Sequence, residues 1–217
     1  TAYEIGVRLV GSEMCIRDWL ISALIITLAM IGIVGCAQDA AEQASEESWT
    51  TLFDGSSLEG WKQLGDANWR LDEGTFLADS GAGFLVSESS YGDFHLKLEF
   101  WVDPDSNSGI FIRCSNPNEV TPENSYEVNI FDKRPDPTYR KLGIVDFAPP
   151  LSVINSGVQW NTYEIIAEGP RLLITLNGTV TVDIEDSTHT EGPFALQYGT
   201  GVGPGTVRFR NVEIMPL

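Results

Sequence analysis

The run RLLITLNGTVTVDIE, residues 171–185, decides the fold. Leu, Ile, Val and Thr dominate both sides of Asn177-Gly178, the residue pair best suited to the positive φ angles of a type I′ turn, so the run predicts two strands joined by a tight hairpin. The same reading extends outward in both directions. FHLKLEFWV, residues 94–102, alternates Phe94, Leu96, Leu98 and Phe100 against His95, Lys97, Glu99 and Trp101. YEVNIF, residues 126–131, alternates Tyr126, Val128 and Ile130 against Glu127, Asn129 and Phe131. FALQYG (194–199) and TVRFRNVEIM (206–215) predict two more strands. Residues 49–217 hold only such short runs between turn residues, with no convincing amphipathic helix. They predict an all-β sandwich of two antiparallel sheets, and the lack of an internal repeat argues against a propeller or solenoid.

The segment before residue 49 reads differently. WLISALIITLAMIGIV, residues 19–34, is apolar and uncharged, shorter than a comfortable membrane span, and runs into IVGC at 33–36. This resembles a bacterial lipobox: cleavage before Cys36, acylation of its thiol, and a protein anchored by lipid. The preceding text, with Arg8 and Arg17 set against Glu4, Glu13 and Asp18, lacks the basic start of such a signal and resembles translated adapter sequence. Residues 1–35 are thus expected to be artefact plus lipoprotein signal peptide, residues 36–48 an acidic solvated tether, and residues 49–217 the folded domain. Ala37 and Gln38 after the cysteine lack an inner-membrane retention aspartate, which points to the cell envelope and its outer membrane. Of three cysteines, Cys15 and Cys36 fall in or beside the signal, leaving Cys114 without an intrachain disulfide partner. A small buried hydrophobe is the expected role for it. The net charge of −18 argues against nucleic acid as a partner.

Chemistry is sought in DPDSNSGIFIRC, residues 103–114. Strand parity puts Ser108, Ile110, Ile112 and Cys114 on one side, with Gly109, Phe111 and Arg113 on the other. Extending that parity, the outward face of one sheet is expected to collect Glu99, Arg113, Glu127, Asn129, Gln197 and Arg210. Acids, guanidinium groups and amides suit sugar hydroxyls, which donate and accept. An ordinary solvated face with scattered ion pairs has the same composition. DPDSNSG opens like a calcium loop, but its glycine is one place late and its twelfth position is Cys114; a tight turn into a strand is the better account, with Gly109 leaving room above the sheet. Nucleophile-elbow, zincin and phosphate-loop motifs are missing. No cofactor is expected, with a carboxylate-bound divalent metal left open. Trp61, Trp69 and Trp160 sit in apolar pattern and are expected to pack in the core or at its edge; Trp101 and Tyr163, if exposed, would suit a flat sugar platform.

LFDGSSLEGWK, NWRLDEGTF, YGDFHLKLEFWV, NSGIFIR, YEVNIFD, QWNTYEIIAEG, LNG, FALQYG and VRFRNVEI resemble, in that order, the 3-keto-disaccharide hydrolase family, across essentially residues 49–217. The resemblance implies a concanavalin A-like jelly-roll and cleavage of 3-keto-glycosides. A C3 ketone acidifies the C2 proton, a base removes it, the enolate expels the C1 substituent, and water adds to the enone. Carried over by motif, Glu127 is the expected base, Arg113 the cation at the enolate oxygen, and Glu99 an acid or the ion-pair partner of Arg113. Asn107, Asn129, Asp132, Gln197 and Arg210 are expected to bind substrate. A sugar 3-oxidoreductase as functional partner is implied by the family chemistry alone. Two places depart from the family pattern: Val145 stands where a tyrosine usually falls, and the Lys-Pro element before Trp160-Asn161 is replaced around Asn155. A non-catalytic carbohydrate-binding module on a lipid tether and a structural surface domain are the competing readings.

Overall fold

The computed structural model describes residues 48–131, 133, 143–152, 154, 157–199 and 205–217. The expectations for Cys36, Asp132, Asn155 and the N-terminal segments lie outside the described residues. Thirteen strands occur among those residues: β1 Thr50–Phe53, β2 Trp61–Gly65, β3 Arg70–Asp72, β4 Thr75–Ala78, β5 Gly83–Ser87, β6 Phe94–Val102, β7 Ser108–Ile112, β8 Tyr126–Ile130, β9 Asn161–Glu168, β10 Arg171–Leu176, β11 Thr179–Glu185, β12 Ala195–Tyr198 and β13 Val207–Pro216. No described helix is long and apolar enough to cross a membrane.

The strands form two antiparallel sheets. One has eight strands in the order β11-β10-β9-β6-β13-β4-β3, with β1 also pairing β13; the other has five in the order β2-β5-β12-β7-β8. The sandwich predicted from sequence is therefore the fold. The hairpin also forms as predicted, with Asn177 at φ 50° and Gly178 at φ 77° between β10 and β11.

The core lies between the sheets and is built by side-chain alternation. From the eight-stranded sheet, β6 contributes Phe94, Leu96, Leu98 and Phe100, β9 Tyr163, Ile165 and Ala167, and β13 Val207, Phe209, Val212 and Ile214. From the five-stranded sheet come Ile110 and Ile112 of β7, Tyr126, Val128 and Ile130 of β8, and Leu196 and Tyr198 of β12. A bulge between Arg210 and Glu213 keeps both Phe209 and Val212 inward, and Asn211 supplies the positive φ of 50° that this irregularity uses. Each buried side chain of this size stabilises the fold by about 1.5–3 kcal/mol, so β6 alone has a large share in holding the sheets together.

Arg113 departs from the sequence expectation, which placed it outward beside Phe111. Its φ is +53°, so β7 ends at Ile112 and the alternation is broken at the next residue. The side chain is turned into the molecule and is 1% exposed. Its guanidinium donates to the carbonyls of Gly92 and Gly169, each at 2.9 Å, to that of His189 at 3.3 Å, and to Asp93 Oδ1 at 3.0 Å. The same Asp93 oxygen accepts the Gly169 N–H at 2.9 Å. One cation thus ties the start of β6, the β9–β10 turn and the segment before β12. Burial lowers its pKa against the opposing pull of Asp93.

Candidate functional site

Register decides which residues share the outer face of the five-stranded sheet. Between β7 and β8, Gly109 pairs with Asn129 and Phe111 with Glu127. Phe111 also pairs with Ala195 of β12, and the Asn107–Gly199 bridge keeps that register, which sets Gln197 opposite Gly109. Across β12, β5 and β2, Gln197 pairs with Phe84 and Phe84 with Leu64. Two parallel rows result. The first runs Glu127, Phe111, Ala195, Val86, Lys62, and the second runs Asn129, Gly109, Gln197, Phe84, Leu64.

The first row is largely covered. Val120 joins Val86, Phe111, Ala195 and Cys114 in a small apolar cluster, and Lys62 Nζ donates to Asn118 Oδ1 at 2.6 Å. The β7–β8 loop therefore lies across this face as a wall beside the second row. Cys114 is 1% exposed within that cluster, and burial pushes its thiol up to about 12. It is the small buried hydrophobe expected, although on the outer side of the sheet: the turn at Arg113 moved it there.

Glu127 is 6% exposed and Asn129 is fully buried. A Cβ added to Gly109 would come within 3.3 Å of Glu127 Cγ and 3.4 Å of its Oε1, so the carboxylate leans over the glycine. The second row gains a polar floor because position 109 has no side chain. On one side of that floor is the carboxylate, and at its two neighbours are the amides of Asn129 and Gln197. Gln197 Oε1 is buried and has no hydrogen-bond partner among the described residues. Such an orphaned acceptor costs roughly 1–3 kcal/mol unless a ligand or water meets it.

The edge beyond β8 is held by residues 143–148. Asn129 N–H donates to Gly143 O at 3.1 Å and Val145 N–H to Glu127 O at 3.0 Å, while Ile144 and Ala148 close a tight turn on each other. Val145, the departure from the family pattern, thus lies directly beside Glu127 and is 2% exposed. At the near end of β7, Asn107 is half-buried with its Nδ2 beside Gly199. Asp105 there pairs with Lys133, a cation that the sequence reading had not singled out.

Glu99 and Arg210 lie elsewhere. They face outward, as alternation predicted, but on the eight-stranded sheet, where Arg210 Nε donates to Glu99 Oε2 at 2.5 Å. Arg210 also stacks on Trp160, its Cζ 3.9 Å from the ring centroid. A cavity of about 270 Å³ opens there, lined by Glu73, Thr75, Trp101, Trp160, Arg208 and Arg210. Arg208 pairs with Asp72 at 2.7 Å. Trp160 was expected in the core or at its edge and instead walls this cavity. Tyr163 is wholly buried, its hydroxyl donating to Asn129 O at 3.2 Å, so it forms no platform; Trp61 and Trp69 are core residues, as expected.

The single outward set predicted from parity is therefore divided among three places. Glu127, Asn129 and Gln197 share one face, where the separate substrate-binding candidate Asn107 also lies; Glu99 and Arg210 share the opposite face; Arg113 is in neither. Among the described residues no group of three or more His, Cys, Asp or Glu side chains is placed to hold a metal ion.

The fold is thus an all-β sandwich whose five-stranded sheet carries a carboxylate, amides and a glycine floor on its outer face. The 3-keto-alpha-glucoside-1,2-lyase-like domain family matches residues 48–215, and the chain belongs to it. Among solved structures, a candidate glycosyl hydrolase from Parabacteroides distasonis ATCC 8503 is 19% identical, with a TM-score of 0.68 over 79% of this chain and 95% of that one. A second from the same organism is 21% identical, with a TM-score of 0.66 over 78% and 100%. The carbohydrate binding module CBM66 from Bacillus subtilis is 21% identical, with a TM-score of 0.52 over 72% and 95%. At these identities the likeness is one of fold. No curated protein matches the chain.

Proposed function

We infer that the outer face of the five-stranded sheet cleaves 3-keto-glycosides. The observation that carries this reading is the Glu127 carboxylate over Gly109, with Asn129 and Gln197 as neighbours in the floor. A pyranose ring resting on Gly109 presents its C2 hydrogen to Glu127, which takes the proton as general base. The electron pair is held as the C3 enolate, whose oxygen the amide N–H group of the half-buried Gln197 can meet. Collapse of the enolate breaks the C1–O bond, whose electron pair passes to the departing oxygen. A water then gives its hydroxyl to C1 of the enone and its proton to the departed oxygen, while Glu127 returns the abstracted proton to C2. Arg113 supports none of these steps, since four hydrogen bonds within the fold occupy it. In place of the guanidinium, a neutral amide donor stabilises the oxyanion, as preorganised dipoles do in acyl transfer. Asn107 contributes at the rim. Incubation with 3-keto-trehalose and with trehalose, followed by mass spectrometry for 3-keto-glucose and glucose, tests the reading. Release from the keto sugar only, lost in Glu127→Gln, supports it; equal turnover by the variant removes the base assignment.

The Trp101–Trp160 cavity favours a second reading, glycan binding without catalysis on the opposite sheet. Retained glycan affinity without turnover of any keto-glycoside would select it. Lipid anchoring through Cys36 in the cell envelope, and supply of the substrate by a sugar 3-oxidoreductase, complete the proposal. Loss of acyl label in Cys36→Ser is the check on the anchor.

A further inference from the structure

The second row of the site does not end at Gln197. It continues to Phe84 and Leu64, and the polar character of the floor ends with it. A cavity of about 310 Å³ opens over this end, lined among others by Leu64, Ala82, Phe84, Asn118, Glu119 and Val120. Leu64 and Phe84 are only half-buried although they pack against the apolar cluster under the β7–β8 loop. Phe84 meets Phe111 edge-on, with ring centroids 5.2 Å apart, which fixes its orientation in the floor.

We propose that this basin receives the leaving group of the substrate, and that the leaving group is an apolar, preferably aromatic, aglycone. The proposal rests on the catalytic reading of Glu127. Strands are about 4.8 Å apart, so Leu64 lies about 10 Å from Gln197 along the row. A ring seated over Gly109 and Gln197 therefore directs its C1 substituent onto Phe84. A second sugar would find hydroxyl partners only at the wall, in Asn118 and Glu119, whereas the floor offers a phenyl face and a leucine. An aromatic ring gains by burying area on both and by meeting Phe84 edge or face. The chemistry fits the lining. When the enolate collapses, the C1–O bond pair passes to the aglycone oxygen. A phenolic oxygen leaves as aryloxide and takes its proton from the water whose hydroxyl adds to C1, while Glu127 returns the C2 proton, so the apolar basin need supply no acid.

The test separates binding from turnover. Calorimetric titration of the intact chain with unoxidised phenyl, cyclohexyl and methyl glucosides, both anomers of each, is expected to show the phenyl compound binding at least tenfold more tightly than the methyl one, with cyclohexyl between. Phe84→Ser and Leu64→Gln are each expected to reduce that preference below threefold. In turnover of the 3-keto derivatives the two variants should raise KM for the phenyl substrate at least threefold more than KM for 3-keto-trehalose. Equal affinity for phenyl and methyl glucoside, or a preference that survives both substitutions, overturns the proposal. The two readings fail separately: no keto-glycoside turned over with the phenyl preference intact removes the catalytic reading and keeps the basin, whereas cleavage of 3-keto-trehalose with no phenyl preference does the reverse.

Discussion

The two sheets present outer faces of similar composition and different organisation. On the eight-stranded sheet, both arginines at the tryptophan cavity already have partners: Arg210 with Glu99, Arg208 with Asp72. On the five-stranded sheet, Glu127 and the amides are buried around a glycine, and the β7–β8 loop closes one side. Exposed ion pairs gain little because water screens them and their side chains lose entropy in pairing. A buried carboxylate acts in a lower dielectric, where its charge has greater effect on a bound ring. Composition thus does not separate the two faces, whereas burial does.

The largest expected effect breaks that comparison directly. Glu127→Gln should lower kcat on a 3-keto-glycoside about 10²–10⁴-fold, the usual contribution of a general base, while Glu99→Gln on the other sheet stays within about threefold of wild type. Comparable losses in both would show that the faces had been ranked wrongly. Arg113→Met should instead act on stability, lowering the unfolding free energy in urea by roughly 3 kcal/mol or more, because carbonyls and Asp93 lose their shared donor. Activity per folded molecule should be conserved, which distinguishes a fold-locking cation from a catalytic one. Gly109→Ala is expected to raise KM about tenfold, since the added methyl would lie 3.3–3.4 Å from the Glu127 side chain and 3.3 Å from Val128 O and fill the floor.

The smallest effect concerns pH. His189 is 7% exposed, its ring set edge-on to Tyr126 and Phe147. Burial lowers its pKa, opposed by the carboxylate of Asp186; the Arg113 guanidinium meets its carbonyl. A histidine depressed in the folded state contributes stability that is present above its unfolded pKa near 6.5 and is lost as pH falls below that value. Chemical denaturation between pH 8 and 5 should show this decline, and His189→Phe should flatten it.

Much of the fold was legible locally. Alternation in residues 94–102 placed Phe94, Leu96, Leu98 and Phe100 inward and Glu99 outward, and Asn177-Gly178 identified its turn. For the same reason Glu127, Asn129 and Gln197 were correctly expected to oppose the apolar positions of β8 and β12. Arg113 was misplaced because alternation holds only while the chain stays extended, and nothing in Ile-Arg-Cys announces a positive φ at a non-glycine residue. Cys114 changed side with it. Glu99 and Arg210 were misplaced for another reason: a sandwich has two outward faces, and parity cannot tell one from the other.

Side-chain alternation is a property of a few consecutive residues, so the sequence by itself determined the strands, the hairpin, the inward set and the family. Sheet membership comes from pairing between residues far apart in the chain, as β7 does with β8 and β12 while β6 pairs β9 and β13. Only the tertiary structure could therefore set Gln197 beside Gly109 under Glu127, send Glu99 to the opposite face, and turn Arg113 from the site into the lock that closes the sandwich.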